Sequence, residues 1–295
     1  MDIDYNTRCY DIKKHTYNKG ILDNSVDATY IIHLKDNGRF EHIQTQLKEY
    51  QPTKNVYIVY NKGFKKCSKK LIEQISYQDL SDAFLQCFKH ANEHNYNNVL
   101  ILEDDFIFSS NIKKPENVSC INDFLNKKKN EEFIYYLGCN PILVIPCSMD
   151  LKHYKSFKSC STHAIVYSKK ARTKTLNLNL KHWDVIIENG ITNRYLYHIP
   201  VCYQTYPDTE NKASWSEKDN VIIGYLKNKV ISLLHLDKTP EPGFSIIYFI
   251  SKYLIPLKMI FSIIVFIVMV WYIYKIYRDP VKHTLTYSKK RVNKK

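Results

Sequence analysis

The sequence predicts an α/β protein: a mostly parallel sheet with flanking helices, followed by a C-terminal transmembrane helix. Three observations carry that reading. Ala28 to Leu34 and Val56 to Tyr60 are β-rich runs on either side of a helical repeat, a β-α-β unit whose strands pair in parallel through a right-handed crossover. The aliphatic run Val99-Leu100-Ile101-Leu102 has the pattern of a strand buried on both faces. Met259 to Tyr274 is uncharged over 16 residues between Lys258 and Lys275. That is roughly 24 Å of helix at 1.5 Å per residue, with Trp271, Tyr272 and Tyr274 as an interfacial belt.

The 295 residues give room for one domain with appendages, and the charged (24%) and hydrophobic (44%) fractions are globular ones. The net charge of +14 is unevenly spread: from Lys275 onward there are eight Lys/Arg against one Asp. Half of the excess thus sits in the tail, which weakens a nucleic-acid reading for the folded part, and nucleic acid is not expected as a partner. The eight cysteines are scattered and form no CxxC pair, which argues against zinc. The chain is long for a disulfide scaffold, so most of them are expected to be small core residues or free thiols.

In chain order, residues 1–27 are polar and read as an extended arm laid on a domain of 28–240. After the first strand, Lys35-Asp36-Asn37-Gly38 is a turn, and Phe40, Ile43, Leu47 and Tyr50 recur at helical spacing up to Pro52, with Arg39 at the helix start. Ser76-Tyr77-Gln78-Asp79 resembles a capping box. It opens the strongest amphipathic helix, with Leu80, Ala83, Phe84, Cys87, Phe88 and Ala91 on one face. His90 and His94 sit four apart on that helix, but without an HExxH motif they are expected to be a surface pair. Beyond Phe106 a short helix is predicted around Ile121 to Leu125, and Asn117-Val118-Ser119 is a formal glycosylation sequon. Phe133 to Leu137 and Ile142 to Ile145 read as two strands separated by Gly138 to Pro141. Ser161 to Tyr167 reads as a strand leading into a helix at Lys169 to Leu176. Trp183 and Asp184 precede a run Val185 to Ile187 and a turn at Asn189-Gly190, and Tyr195 to Ile199 is a last strand. Gln204 to Ser216 is a polar loop long enough for a mobile lid. Residues 244–277 form the membrane anchor and 278–295 a basic tail.

The chemistry concentrates where the buried run meets Glu103, Asp104 and Asp105. Ligands of open α/β sheets sit at the C-terminal ends of strands. Three adjacent acids near a core repel one another and cost desolvation unless a cation neutralises them. Hard carboxylate oxygens suit Mg2+ or Mn2+, with a substrate's phosphates completing the shell. Strand alternation turns Glu103 and Asp105 to one side and Asp104 to the other.

Three blocks resemble the family-25 glycosyltransferases, which include lipopolysaccharide-biosynthesis and collagen galactosyltransferases. Tyr30-Ile-Ile-His-Leu34 with Arg39-Phe-Glu41 is similar to that family's opening motif, with His33 where Asn is usual. Leu80 to His90 followed by Val99 to Phe106 is the closest match, and Cys160 to Ala171 with His182-Trp183-Asp184 resembles a later block. The resemblance covers roughly Ala28 to Ser216. It implies a GT-A-like fold, a mixed sheet that is Rossmann-like on its N-terminal side. It also implies a nucleotide-sugar donor, with Mn2+ (or Mg2+) bridging the diphosphate to the acidic motif.

On this basis the expected protein is a membrane-anchored, metal-dependent hexosyltransferase acting on a hydroxyl of a glycan or protein acceptor. Glu103 and Asp105 are the expected metal ligands, Asp104 and Arg39 the donor-binding residues, and Asp184 the general base. The alternatives are a membrane-tethered, non-catalytic scaffold with the same fold and, third, a nuclease-like or nucleotide-binding enzyme using the same acids. The absence of an N-terminal signal favours a cytosolic catalytic domain, although the basic tail favours the opposite orientation. A single span, or a hairpin turning at Pro256, fits the C-terminal anchor.

Overall fold

The structure, a computed structural model, describes residues 2–178, 182–206 and 229–292. The strands are β1 (Tyr10–Thr16), β2 (Ala28–Leu34), β3 (Asn55–Asn61), β4 (Asn98–Glu103), β5 (Phe106–Phe108), β6 (Ile134–Pro146), β7 (His153–Ser168), β8 (Arg194–Tyr197) and β9 (Cys202–Gln204). Seven of them form one mixed sheet in the order β1-β3-β2-β4-β7-β6-β8, and β5 pairs with β9 in a small second sheet. The strands β2, β3, β4, β6 and β8 run in one direction; β1 and β7 run against them. The sheet is thus mostly parallel, with β2 and β4 at its centre.

The helices are α1 (Ile3–Asn6), α2 (Phe40–Tyr50), α3 (Ser76–Glu93), α4 (Pro115–Lys127), α5 (Lys169–Leu176) and α6 (Trp183–Gly190), then α7 (Gly243–Phe249) and α8 (Ile255–Val292) at the C-terminal end. Two apolar layers result. Val99 and Ile101 of β4 face the layer with Phe84 and Phe88 of α3 and Trp183 of α6. Leu100 and Leu102 face the layer with Ile43 and Leu47 of α2 and Ile121 and Leu125 of α4. Alternation along one strand therefore feeds both cores, which is why the sequence shows an unbroken aliphatic run there.

Several elements depart from the sequence reading. The polar arm is an edge strand: β1 pairs antiparallel with β3 from Tyr10↔Asn61 to Thr16↔Asn55. Its side chains are largely exposed, so no apolar run marks it. Cys9 and Cys67 form a disulfide, whereas Cys87, Cys120, Cys139, Cys147, Cys160 and Cys202 are free thiols. The capping box does not form. Ile75 is the N-cap of α3, and Asp79 accepts from Asn61 Nδ2 (2.9 Å) and the buried Lys69 Nζ (2.5 Å). The two strands expected around Gly138 to Pro141 are one long strand, β6, bulged against β7. The run Val185 to Ile187 and the turn expected at Asn189-Gly190 both belong to α6. Gln204 closes β9, and residues 207–216 of the expected lid lie outside the described residues.

Gly138 marks one bulge. A Cβ there would overlap the Cys202 carbonyl and crowd His163 Nε2 at 2.5 Å. We expect Gly138→Ala to destabilise the fold by about 1–3 kcal/mol, as overpacking against backbone does. A lowered urea midpoint with unchanged m would show it.

The C-terminal region does not turn at Pro256. Helix α7, a π-helical stretch at Ile250–Leu254 and α8 follow one another without a break. The wider π turn lies just before Pro256, whose ring cannot follow regular α geometry. Gly243–Lys275 is long and apolar enough to cross a membrane, and the apolar window that qualifies it is not buried in the protein. The hairpin alternative therefore fails at Pro256.

Two buried histidines set an acid limit. His153 is sandwiched between Tyr135 OH (3.0 Å to Nδ1) and Cys120 Sγ (3.3 Å to Nε2), and His163 is fully buried. Burial holds each imidazole down at about 4. A histidine with a depressed folded pKa stabilises the protein fully above the unfolded value of about 6.5, and that stability drains away as pH falls towards the folded value. Each of these two imidazoles contributes proton uptake on unfolding between about pH 6.5 and about pH 4, so the urea midpoint of His163→Gln is expected to be less sensitive to acidification over that range than the parent's.

Candidate active site

The acidic block is split by the end of β4. Glu103 closes the strand, Asp104 and Asp105 make a tight turn, and β5 starts at Phe106. Because β5 pairs with β9, Phe106↔Gln204, residues from the far end of the domain come to lie over the turn.

Asp104 swings to the C-terminal end of β2. Its Oδ2 accepts from His33 Nδ1 (3.1 Å), Asn37 Nδ2 (2.6 Å) and the Leu34 amide (3.2 Å), and its Oδ1 from Arg39 Nη1 (2.6 Å). Asp36 and Gly38 have φ of 66° and 78°, and this left-handed turn folds Asn37 and Arg39 back over the carboxylate. Burial pushes the Asp104 carboxyl up, but the His33 hydrogen bond, the Arg39 guanidinium and Asn37 outweigh it and hold the group below its ordinary value. Asp104 and Arg39, both expected to meet the donor, are bound to each other, with about a fifth of Arg39 (21%) exposed.

Glu103 and Asp105 turn to other partners, on β7 and β9. Glu103 Oε1 accepts from Thr162 Oγ1 of β7 (2.8 Å). Burial pushes its carboxyl up, and the Asp105, Asp184 and Asp104 charges push it further. Asp184, in the first turn of α6, thus acts electrostatically on the same site. Asp105 is buried at 5% exposure, and its Oδ2 accepts from Gln204 Nε2 (3.0 Å). Its Oδ1 has no hydrogen-bond partner among the described residues. Burial first, and the Asp104 charge second, push its carboxyl up as well.

A divalent cation fits this donor set. Two carboxylates are destabilised by burial, the Asp105 charge acts on Glu103, and one Asp105 oxygen is buried and unpartnered among the described residues. Among the described residues no group of three or more His, Cys, Asp or Glu could hold an ion by itself. A cation here would therefore draw on ligand oxygens and water, the habit of Mg2+ and Mn2+. His90 and His94 offer no rival. Their rings stack at 4.2 Å, and His90 Nδ1 meets Tyr30 OH at 2.8 Å.

Sequence reading missed Thr162, Gln204, Asn140 and Tyr206. Asn140 Nδ2 donates to Tyr206 OH (2.6 Å) and to Ser161 Oγ (2.9 Å), and the Asp105 charge reaches Tyr206. None carries a local signal; strand pairing alone brings these polar groups towards the acids.

No known family model matches the sequence, and no curated protein matches it. Among solved structures, one neighbour is a Bacillus anthracis chain named as a glucose-1-phosphate thymidylyltransferase, in complex with a sucrose. The likeness has 13% identity and a TM-score of 0.29, and covers 57% of this chain and 66% of that one. The match thus spans just under two thirds of that protein, and neither figure defines kinship or a shared fold.

Proposed function

We propose that this chain is a membrane-anchored, metal-dependent glycosyltransferase with a GT-A-like domain that takes in the edge strand β1, similar to the family-25 enzymes. It would move a galactosyl or glucosyl unit from a nucleotide-sugar donor to a hydroxyl of a glycan or protein. The observation that carries the reading is the unpartnered Asp105 Oδ1 beside Glu103 at the C-terminal end of a central strand. Glu103 and Asp105 would hold Mn2+ or Mg2+, which when bound offsets the negative charge of a diphosphate leaving group. Asp104 fixes the β2 loop through Arg39 and so shapes the donor-side wall. Asp184, whose charge acts on Glu103, would accept the acceptor's hydroxyl proton.

The test is incubation of the full chain with a panel of nucleotide sugars, with and without Mn2+. Metal-dependent donor hydrolysis or transfer is expected for one of them. No turnover and no donor binding across the panel would leave the non-catalytic scaffold as the reading.

The Cys9–Cys67 disulfide bears on the domain's side of the membrane. Such bonds persist in oxidising compartments, which favours an extracytosolic domain over the cytosolic one expected from sequence. The basic residues from Lys275 onward agree with that orientation. Asn117 is no reporter: its Nδ2 donates to the Asn111 carbonyl (2.9 Å) and its Oδ1 accepts from Tyr197 OH (2.9 Å), both inside the fold. Protease protection of sealed vesicles decides it; a domain digested from the cytosolic side overturns the orientation.

A further inference from the structure

The β6–β7 ribbon presents an apolar surface that the acidic site does not use. Ile142, Ile145, Met149, Leu151 and Phe157 are exposed, Met149 completely so (101%). Patches of this kind on an otherwise polar domain mark interaction surfaces. Lys152, Lys155 and Lys158 lie on the same ribbon, so the surface is apolar and basic together.

Its position says what covers it. The C-terminal helix packs along β6 before leaving the domain. Phe244, Tyr248 and Ser251 are buried, spaced as one helix face, and Tyr248 OH lies 3.8 Å from Cys139 Sγ. One turn further, Lys252 Nζ donates to the His198 carbonyl (2.6 Å) and sits over the Tyr154 ring (5.7 Å). Tyr154 pairs with Pro146, the last residue of β6. Helix and ribbon therefore run the same way, from Cys139 towards Pro146. Every side chain from Leu257 to Lys275 is exposed, so the helix leaves the fold at the level of the ribbon's free end. The opposite face of the packed turns, Phe249, Ile250, Tyr253 and Leu254, is exposed and apolar and continues the same surface.

We propose that this ribbon is a membrane foot: its apolar side chains enter the interfacial layer of the bilayer that takes up the helix, and its lysines meet lipid headgroup phosphates. Lys252 is turned back onto the domain and leaves that layer apolar. The consequence for the site follows from strand direction. β6 is parallel to β4, and Gly138 is level with Leu102 through Ala164. From that level β6 runs on to Pro146, at most about 26 Å at roughly 3.3 Å per residue. The foot extends from the end of the sheet that holds Glu103 and Asp105, so the acids face the lipid, and the acceptor fitted to that geometry is one held at the membrane surface. The proposal rests on the anchor reading of the helix.

The test uses the full chain in vesicles of phosphatidylcholine and phosphatidylserine whose acyl chains carry bromine, a contact quencher of tryptophan. Native Trp271 reports insertion of the helix, isolated by difference against Trp271→Phe. Met149→Trp and Phe157→Trp report the foot, and Lys129→Trp, exposed at the opposite end of β6, is the control. The emission added by Met149→Trp and Phe157→Trp is expected to fall at least twofold with shallow bromines, while that added by Lys129→Trp is unchanged. Quenched Trp271 with unquenched foot variants overturns the proposal alone. If their emission instead changes with protein-to-lipid ratio, a second copy covers the ribbon and the proposal is equally overturned. Unquenched Trp271 overturns the anchor reading, and the foot with it.

Discussion

Asp105→Ala is expected to lower metal-dependent donor turnover by at least about 100-fold without lowering the melting temperature. The two halves of that result come from different atoms. Activity falls because the variant removes one of the two carboxylates available to the cation. Stability holds because the fold gains little from this side chain: Oδ2 has Gln204 as its hydrogen-bond partner and Oδ1 has none among the described residues. The carboxylate is buried and pushed towards its protonated form, so it costs the fold more than it contributes. The Asp105 carbonyl, which accepts from the Thr205 amide at 3.0 Å, survives the change and keeps β5 on β9. Donor binding by calorimetry with Mn2+, beside a thermal melt of the metal-free protein, measures both. A variant that melts several degrees lower yet binds donor like the parent would make Asp105 a structural residue and favour the scaffold.

Asp104→Ala, by contrast, is expected to destabilise the fold. Removing this carboxylate strands the Arg39 guanidinium, His33, Asn37 and the Leu34 amide, all of which converge on it. Breaking one side of a buried, hydrogen-bonded ion pair costs about 3–5 kcal/mol. Arg39→Ala combined with Asp104→Ala should cost less than the sum of the two singles, since the second change removes the orphaned charge. Urea unfolding of the four species gives the coupling. The pH dependence has a definite sign. The Asp104 carboxyl is held below its ordinary value, so its stabilisation is present above the unfolded pKa of about 3.9 and is lost as pH falls through the folded value. An Asp104→Ala protein as stable as the parent would remove the clamp and leave only a donor contact for this residue.

The sequence by itself determined the elements whose signal is local. The aliphatic run of β4, the helical repeat of α3, the β2-α2-β3 unit and the uncharged helix after Lys258 all follow from side-chain periodicity, because each buries or exposes a face set by its own residues. Strand alternation alone does not set where Asp104 and Asp105 point, because β4 ends at Glu103 and both lie in the turn that follows. Only the tertiary structure decided what neighbours across the sheet impose. The polar β1 is a strand because β3 offers it an edge, and β6 stays one strand through Gly138 because β7 runs alongside it. Cys9 finds Cys67 because β1 lies beside β3. His33, Thr162 and Gln204 reach the acids from β2, β7 and β9, brought there by strand order. No residue's own neighbourhood encodes such a meeting, since it depends on pairing between segments up to about a hundred residues apart.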